Sequence, residues 1–436
     1  MISACSPPIY RYTLAPDSPC REPEISPGSL YEAATEAAQH LPLVDLRLPD
    51  ETHGLAVQSY PGDGDPTFDQ RLVASRRSYV YDNAIVAIAF IQLGKIAEAE
   101  AILATLESIQ SPDGSFGFSF NTAMEPYYDQ DYVRTGTVAW VGYAFVYHLF
   151  RTQNPRFLAA ALRVADFLVQ MQVDAPQDPR DGLLRGGRGV FNRRHTALRP
   201  DVLIDEAIAE HQFDAWFFLD LLAHVHPETQ WVTFRDRLGQ RIEAALWLPK
   251  DGRFATAVNQ NGPIYEWALD SSGSYGVLFW HARVNLDNAN EALRTTYALF
   301  SATDNGLNGF RPYAGTVSDY PDIDWNDQSP IFVEGTMTVA LAATRVGNRN
   351  VAEEALRLAR QLMCITGGAL PYATHTQPDF PAVTAAAPTA WFILAALAFS
   401  GHEGAWPIWS THRPDSTTPK AAPPPPHPAV NLPNQG

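Results

Sequence analysis

The sequence predicts an all-α protein, an (α/α)6 toroid of six helical hairpins, on three observations. Apolar residues recur with the 3.6-residue period of helices rather than the two-residue period of strands. Segments apolar nearly all round alternate with segments that carry one apolar stripe and one charged face. The turn after each apolar segment is short, and the return to the next one is long. A helix apolar on every side must be buried, and an amphipathic one lies on the surface. Six of each in alternation build an inner ring sheathed by an outer ring. An open superhelical stack of helical hairpins is the competing architecture.

The periodicity places helices over 29–41, 78–94, 96–110, 132–153, 155–172, 204–225, 228–247, 269–281, 286–302, 330–347, 350–365 and 386–399. Those starting near 78, 132, 204, 269, 330 and 386 are the inner set. Ala84-Ile85-Val86-Ala87-Ile88-Ala89-Phe90 and Ala390–Leu397 are nearly devoid of polar side chains. Ile96–Gln110 and Asn350–Ile365 are typical outer partners. Gly94 and Gly347 stand where inner helices must stop and turn. For the inner helix over 204–225, a start near Ile208 is preferred, leaving Glu206 in the loop and Glu210 in the first turn. Residues 1–27 read as a Pro-rich extended arm, 28–412 as the toroid, and 413–436 as a disordered or polyproline tail around Pro423–Pro426.

The chain has 436 residues, with 48 acidic and 31 basic side chains and a formal net charge of −17. That balance argues against nucleic acid as a partner, because a general nucleic-acid binder presents a basic face. No apolar run of about 18 residues is present, so no membrane span is expected. Cys5, Cys20 and Cys364 are scattered, and the preferred reading is free thiols in a reducing cytosol. A cytoplasmic location fits the chain as written, with export left open.

Long returns gather the loops at the N-terminal ends of the inner helices, where helix dipoles point positive. Carboxylates recur there beside aromatic residues: Tyr81 and Asp82, then Tyr128, Asp131 and Arg134, then Glu210, His211, Gln212 and Asp214, then Trp267 and Asp270, then Trp325 and Glu334. An acid at a helix N-terminus contributes about 0.3–1 kcal/mol through the dipole alone. Inside otherwise apolar helices, however, an unpaired charge is costly and its pKa should rise. Aromatics interleaved with paired carboxylates suit a carbohydrate cleft. Glycosidic cleavage needs one protonated and one ionised carboxyl flanking the bond. Trp140 and Trp216 read as core. Trp267 and Trp325, in loops beside acids, read as cleft.

The Gly-rich loop with Arg185, Arg188, Arg193, Arg194 and Arg199 either binds an anionic group or pairs with local acids such as Asp201 and Asp205, the latter preferred. Dispersed histidines predict no metal centre, and no nucleotide fingerprint predicts a cofactor. Asp322, Asp324 and Asp327 form only a fragment of a calcium-loop pattern.

Several segments resemble the bacterial six-hairpin glycosidase-like superfamily over roughly residues 75–400. They are Tyr81-Asp82-Asn83-Ala84, Arg134-Thr135-Gly136-Thr137-Val138-Ala139-Trp140, Ala209-Glu210-His211-Gln212-Phe213-Asp214-Ala215, Leu269-Asp270 and Phe332-Val333-Glu334-Gly335-Thr336. Ala209 and Gln212 depart from the family's Thr and Asn. The resemblance implies a toroid with a sugar-binding funnel. Together with the residues, it points to a glycoside hydrolase of oligo- or polysaccharides working by carboxylate acid/base catalysis. The main carboxylates would be Glu210 and Glu334, with Asp82 and Asp270 next. Tyr81, Tyr128, Asp131, Arg134, His211, Gln212, Asp214, Trp267 and Trp325 would line the subsites. A non-catalytic glycan- or partner-binding toroid and a lyase, epimerase or terpene-type cyclase remain the alternatives. Gln110-Ser111-Pro112-Asp113-Gly114-Ser115-Phe116 is similar to a repeat of terpene cyclases, but occurs once.

Overall fold

Six helices apolar on nearly every side form a closed ring in the computed structural model, which describes residues 10–61, 64, 76–124, 129–192, 197–403 and 408–410. The inner helices are α2 (Val80–Gln92), α4 (Thr135–Thr152), α6 (Ala209–Val225), α8 (Tyr275–Ala282), α10 (Val333–Arg345) and α12 (Ala386–Ser400). A π turn, Asp270–Ser274, leads into α8. Each inner helix touches the next, and α12 returns to α2. Closure of the ring rules out the open stack.

The outer helices are α3 (Ile96–Ser108), α5 (Leu158–Met171), α7 (Thr229–Ala245), α9 (Leu286–Phe300) and α11 (Arg349–Thr366), each packed on the inner helix before it. The sixth hairpin is closed by the start of the chain. Helix α1 (Pro27–Ala37), capped by Ser26 with Pro27 in its first turn, covers α12.

Inner helices α2, α4, α6 and α10 begin two to five residues later than their periodicity suggests, because the chain just ahead of each is held in a short antiparallel pairing, while α12 begins where expected. Arg77–Tyr79 pairs with Ser119–Asn121, Val133–Arg134 with Gly187–Arg188, and Ala207–Ile208 with Ala257–Val258. Ile204, the first residue of the helix expected over 204–225, instead ends a strand, Leu198–Ile204, that pairs with Gly187–Phe191. The preferred start of α6 near Ile208 holds, and Glu206 lies outside the helix. These strands lie in long returns, where helical periodicity carries no information.

The pairings are one rule repeated six times. The first peptide N–H of each inner segment donates to a carbonyl in the loop that leads to the next inner helix, or, for α12, to the first. Val80 donates to Phe118, Thr135 to Gly186, Ala209 to Thr256, Leu269 to Pro312, Val333 to Tyr372 and Ala386 to Ser59, at 2.8–3.2 Å. One orphan donor of each helix N-terminus is thereby satisfied and each loop is fixed over its neighbour.

The thiols are not all free. Cys20 and Cys364 form a disulfide, with Cα atoms 5.6 Å apart across 344 residues of sequence. The arm folds back along α11, where Gln361 Nε2 donates to the Arg21 carbonyl and Arg357 pairs with Glu22. Spacing along the chain cannot disclose a contact made by that return. The tail over 413–436 lies outside the described residues. Among the described residues, no helix is long and apolar enough to cross a membrane.

Candidate active site

The residue after each of the six anchored peptides faces one cavity of about 510 Å³ at the loop end of the ring. In chain order these are Tyr81, Gly136, Glu210, Asp270, Glu334 and Ala387. Six equivalent positions thus supply three carboxyls, a phenol and two small residues that leave room. Asp82 follows Tyr81, and Asp214 lies one helical turn below Glu210. The four carboxylates expected from the sequence, Asp82, Glu210, Asp270 and Glu334, therefore converge, together with Asp214.

Burial dominates their electrostatics, since a low-dielectric surrounding disfavours the charged form. It raises Asp82 to about 7, against the opposing effect of a Ser59 hydrogen bond and the Arg77 charge. It raises Asp270 to about 8, with the Glu210 charge adding to the effect. Glu334 is pushed well above the usual carboxylate range by burial, although the Tyr81 hydroxyl donates to its Oε1 at 2.6 Å and pulls the other way. Asp214 is pushed well up by burial and then by Glu210, against a hydrogen bond from Trp140. Its Oδ1 is buried without a partner. Glu210 is raised by burial and held back by Arg134. Its side chain keeps 34% of its surface open to the pocket, so it is the carboxyl best placed to ionise.

His211 Nε2 lies 3.6 Å from Glu210 Oε1, and burial and Arg134 push its pKa well down, so it is neutral. The close packing of this group explains Gly136. A Cβ there would lie 2.5 Å from both Asp214 Oδ2 and His211 Cδ2. Arg134 is the one guanidinium facing the cavity among the described lining residues. Among the described residues it donates to no carboxylate, and its Nη1 donates to the Tyr132 hydroxyl at 3.2 Å.

The walls are aromatic: Tyr60, Tyr79, Phe118, Tyr132, Trp140, Tyr275, Tyr313, Tyr320, Phe332 and Tyr372, with Asp379 at the rim accepting from Tyr320 at 2.6 Å. Trp140, read from the sequence as core, sits one to two turns inside α4 and lines the cavity, as does Tyr275 at the start of α8. The loop tyrosines carry no local signal, because the carbonyl anchors that place them are long-range contacts.

Four expected subsite residues are elsewhere. Trp325 is fully buried among Tyr313, Tyr320 and Phe380, because Asp324 caps a helical turn, Trp325–Gln328, that points the indole inward. Trp267 is stacked by the Arg253 guanidinium 3.5 Å from its ring. Gln212 spends its amide on backbone, receiving Leu184 N–H and donating to the carbonyls of Leu184 and Ile208. Asp131 is exposed and outside the cavity, and Tyr128 lies outside the described residues.

In the basic loop, Arg185 pairs with a local acid, as preferred, but Arg188 reaches an acid of an earlier loop. Arg188 meets Asp113 at 2.5 Å and Arg185 lies 3.5 Å from Asp205, while Arg193 and Arg194 lie outside the described residues. The Gln110–Phe116 segment is structural: Gln110 bridges Gly114 and Ala160 and receives Arg163. Among the described residues, no group of three or more His, Cys, Asp or Glu is arranged to hold a metal.

No protein-family model and no curated protein matches the chain. Solved structures do. A glycosidase with a glutamate-to-alanine substitution, in complex with glucose, aligns with a TM-score of 0.60 at 12% identity, over 86% of this chain and 97% of that one. A GH76A α-1,6-mannanase from Salegentibacter aligns at 0.54 and 12%, over 86% and 100%. An α-amylase from Clostridium perfringens aligns at 0.51 and 11%, over 74% and 86%. The chain has a glycoside-hydrolase-like toroid fold. At such identities the likeness speaks for the fold alone, and the toroid's chemistry must be argued from its own pocket.

Proposed function

We propose that the protein is a glycoside hydrolase that cleaves an uncharged oligo- or polysaccharide in the toroid pocket. The observation that carries this reading is the convergence of Glu210 and Glu334, flanked by Asp82, Asp214 and Asp270, inside an aromatic-walled cavity. Glu334, whose pKa burial pushes well above the usual carboxylate range, serves as the general acid that donates its proton to the glycosidic oxygen. Glu210, the more exposed carboxyl and the one nearest in charge to Arg134, serves as the ionised partner that activates water or attacks the anomeric carbon. Tyrosine faces stack on the apolar sides of sugar rings while their hydroxyls and the carboxyls bind sugar hydroxyls.

Charge narrows the substrate. Arg134 is the one guanidinium among the described lining residues and Glu210 is its ionised neighbour, so no cation is left over to bind a uronate or sulfated glycan, which also disfavours a lyase, whose anionic substrate needs cations around its carboxylate. The toroid over 28–412 is the catalytic unit in this reading. The Cys20–Cys364 disulfide favours an oxidising compartment over the cytosol.

The test is digestion of a glycan library read by mass spectrometry, with wild type, E210Q and E334Q. Wild type should release neutral saccharides, and each variant should lose at least about a hundredfold in turnover. Full activity in both variants sinks the assignment. Saturable oligosaccharide binding by calorimetry with no cleavage of any glycan supports the non-catalytic toroid instead.

A further inference from the structure

The far end of the ring is occupied. Ile408 sits at the C-terminal end of α10, where Arg345 donates to its carbonyl, and Trp409 reaches in among the inner helices from that end, opposite the loops. Trp409 is 1% exposed. Its indole stacks on Trp140 of α4 at 4.8 Å and on Phe217 of α6 at 4.6 Å. It meets Tyr275 of α8 edge-on at 4.7 Å and Trp391 of α12 at 6.3 Å. A side chain touching four of six helices around a ring stands on the ring's axis. Its peptide N–H donates to the Tyr143 hydroxyl at 3.0 Å.

The segment is fastened where the inner helices end. Arg345, the last residue of α10, pairs through both guanidinium nitrogens with Glu403, both side chains being 8% exposed. Arg345 also donates to the Ile408 carbonyl, and Arg151, in the last turn of α4, donates to the Glu403 carbonyl. Trp409 itself is in the left-handed region at φ 53°, which a bulky residue adopts only when its surroundings impose it.

What Trp409 supports is the floor of the pocket. Trp140 donates to Asp214. Trp391 Nε1 donates to the Tyr81 hydroxyl at 2.6 Å, and Tyr81 donates to Glu334. Tyr275 lines the cavity itself. We propose that Trp409 is a positioning residue that plugs the axial channel beneath the pocket and locks Trp140, Trp391 and Tyr275, and through them Asp214, Tyr81 and Glu334, in place. Without the plug the ring would be open to water from both ends. With it the cavity is blind, and a ligand enters from the loop end alone. Low dielectric around the carboxyls is then maintained from below.

The test needs no substrate, so its failure is separable from failure of the glycosidase reading. Carbodiimide and glycinamide label protonated carboxyls, and peptide mass spectrometry reads each site across pH. The groups facing Glu334 are Tyr81, Tyr60, Tyr275, Tyr372, Asp82, Glu210 and Asp270. Those facing Asp214 are Glu210, Asp270, Tyr275, His211 and the Trp140 indole. W409A should let water reach the floor and move the labelling midpoints of Glu334 and Asp214 to lower pH by a unit or more, at least about a tenfold change in protonation equilibrium. Added indole should restore them, and W409F should stay near wild type. F157A, which opens a cavity between α4 and the outer ring, should leave both midpoints unmoved. Should W409A not fold, W409L carries the same measurement. A folded W409A or W409L with wild-type midpoints overturns the proposal, as does an equal shift in F157A.

Discussion

Tyr81 and Glu334, 253 residues apart in sequence, share one proton-donating contact: the phenol donates to Glu334 Oε1 at 2.6 Å. The Trp391 indole donates to the same phenol oxygen, so the Tyr81 proton is aimed at the carboxyl. That hydrogen bond favours the ionised form of Glu334 and opposes the effect of burial. Y81F removes it. The protonation midpoint of Glu334 should rise further, and site-resolved carbodiimide labelling across pH reads the shift. Turnover, where Glu334 must reionise in each cycle, should fall roughly tenfold, as expected for loss of one hydrogen bond to a charged group. An unchanged midpoint contradicts the argument.

Gly136 marks the tightest approach in the pocket. The added methyl of G136A meets Asp214 Oδ2 and His211 Cδ2 at 2.5 Å, and neither belongs to a flexible surface chain. Both side chains must shift, so ligand binding and turnover should drop by more than tenfold. Thermal stability should fall by roughly 1–3 kcal/mol, the usual cost of overpacking. Calorimetric binding and a melting curve on the same preparation separate the two effects.

The disulfide joins the arm to α11 on the outer ring, away from the cavity. Reduction, or C20S, frees a long loop in the unfolded chain and should cost about 2–5 kcal/mol. The expected result is a lower melting temperature with unchanged ligand affinity and unchanged carboxyl midpoints. Equal melting curves with and without reductant would show that the arm is held by its non-covalent contacts, among them Arg11–Asp304, Arg357–Glu22 and the Gln361 bond to Arg21.

What the sequence disclosed followed from helix physics. Asp82, Glu210, Asp270 and Glu334 were legible because each is an acid within the first turn of an apolar helix, and a toroid brings those turns together. Asp214 and Arg134 came with the same turns. Trp325 and Trp267 misled because an aromatic beside an acid in a loop looks the same whether the ring faces a cavity or stacks on Tyr313 or Arg253. The tyrosine wall was illegible for a related reason. Tyr60, Tyr313 and Tyr372 are aimed by the loop-to-helix anchors at Ser59, Pro312 and Tyr372, contacts that leave no period in the chain. Trp409, followed by a Pro-rich segment, gave no hint of occupying the axis.

Storing protonated carboxyls in the pocket makes stability depend on pH with a definite sign. Asp270 keeps its proton to about 8 in the folded chain and Asp82 to about 7, against 3.8 for an ordinary Asp. Between those values the unfolded chain binds fewer protons than the folded one, so stability falls as pH rises. The loss begins near pH 4 and ends near 7 for Asp82 and near 8 for Asp270. D270N carries no proton to lose, so its melting temperature should match wild type near pH 4 and exceed it by several degrees at pH 8–9. Parallel melting curves for the two proteins from pH 4 to 9 would show that Asp270 ionises freely, and the pocket would then be wetter than its geometry implies.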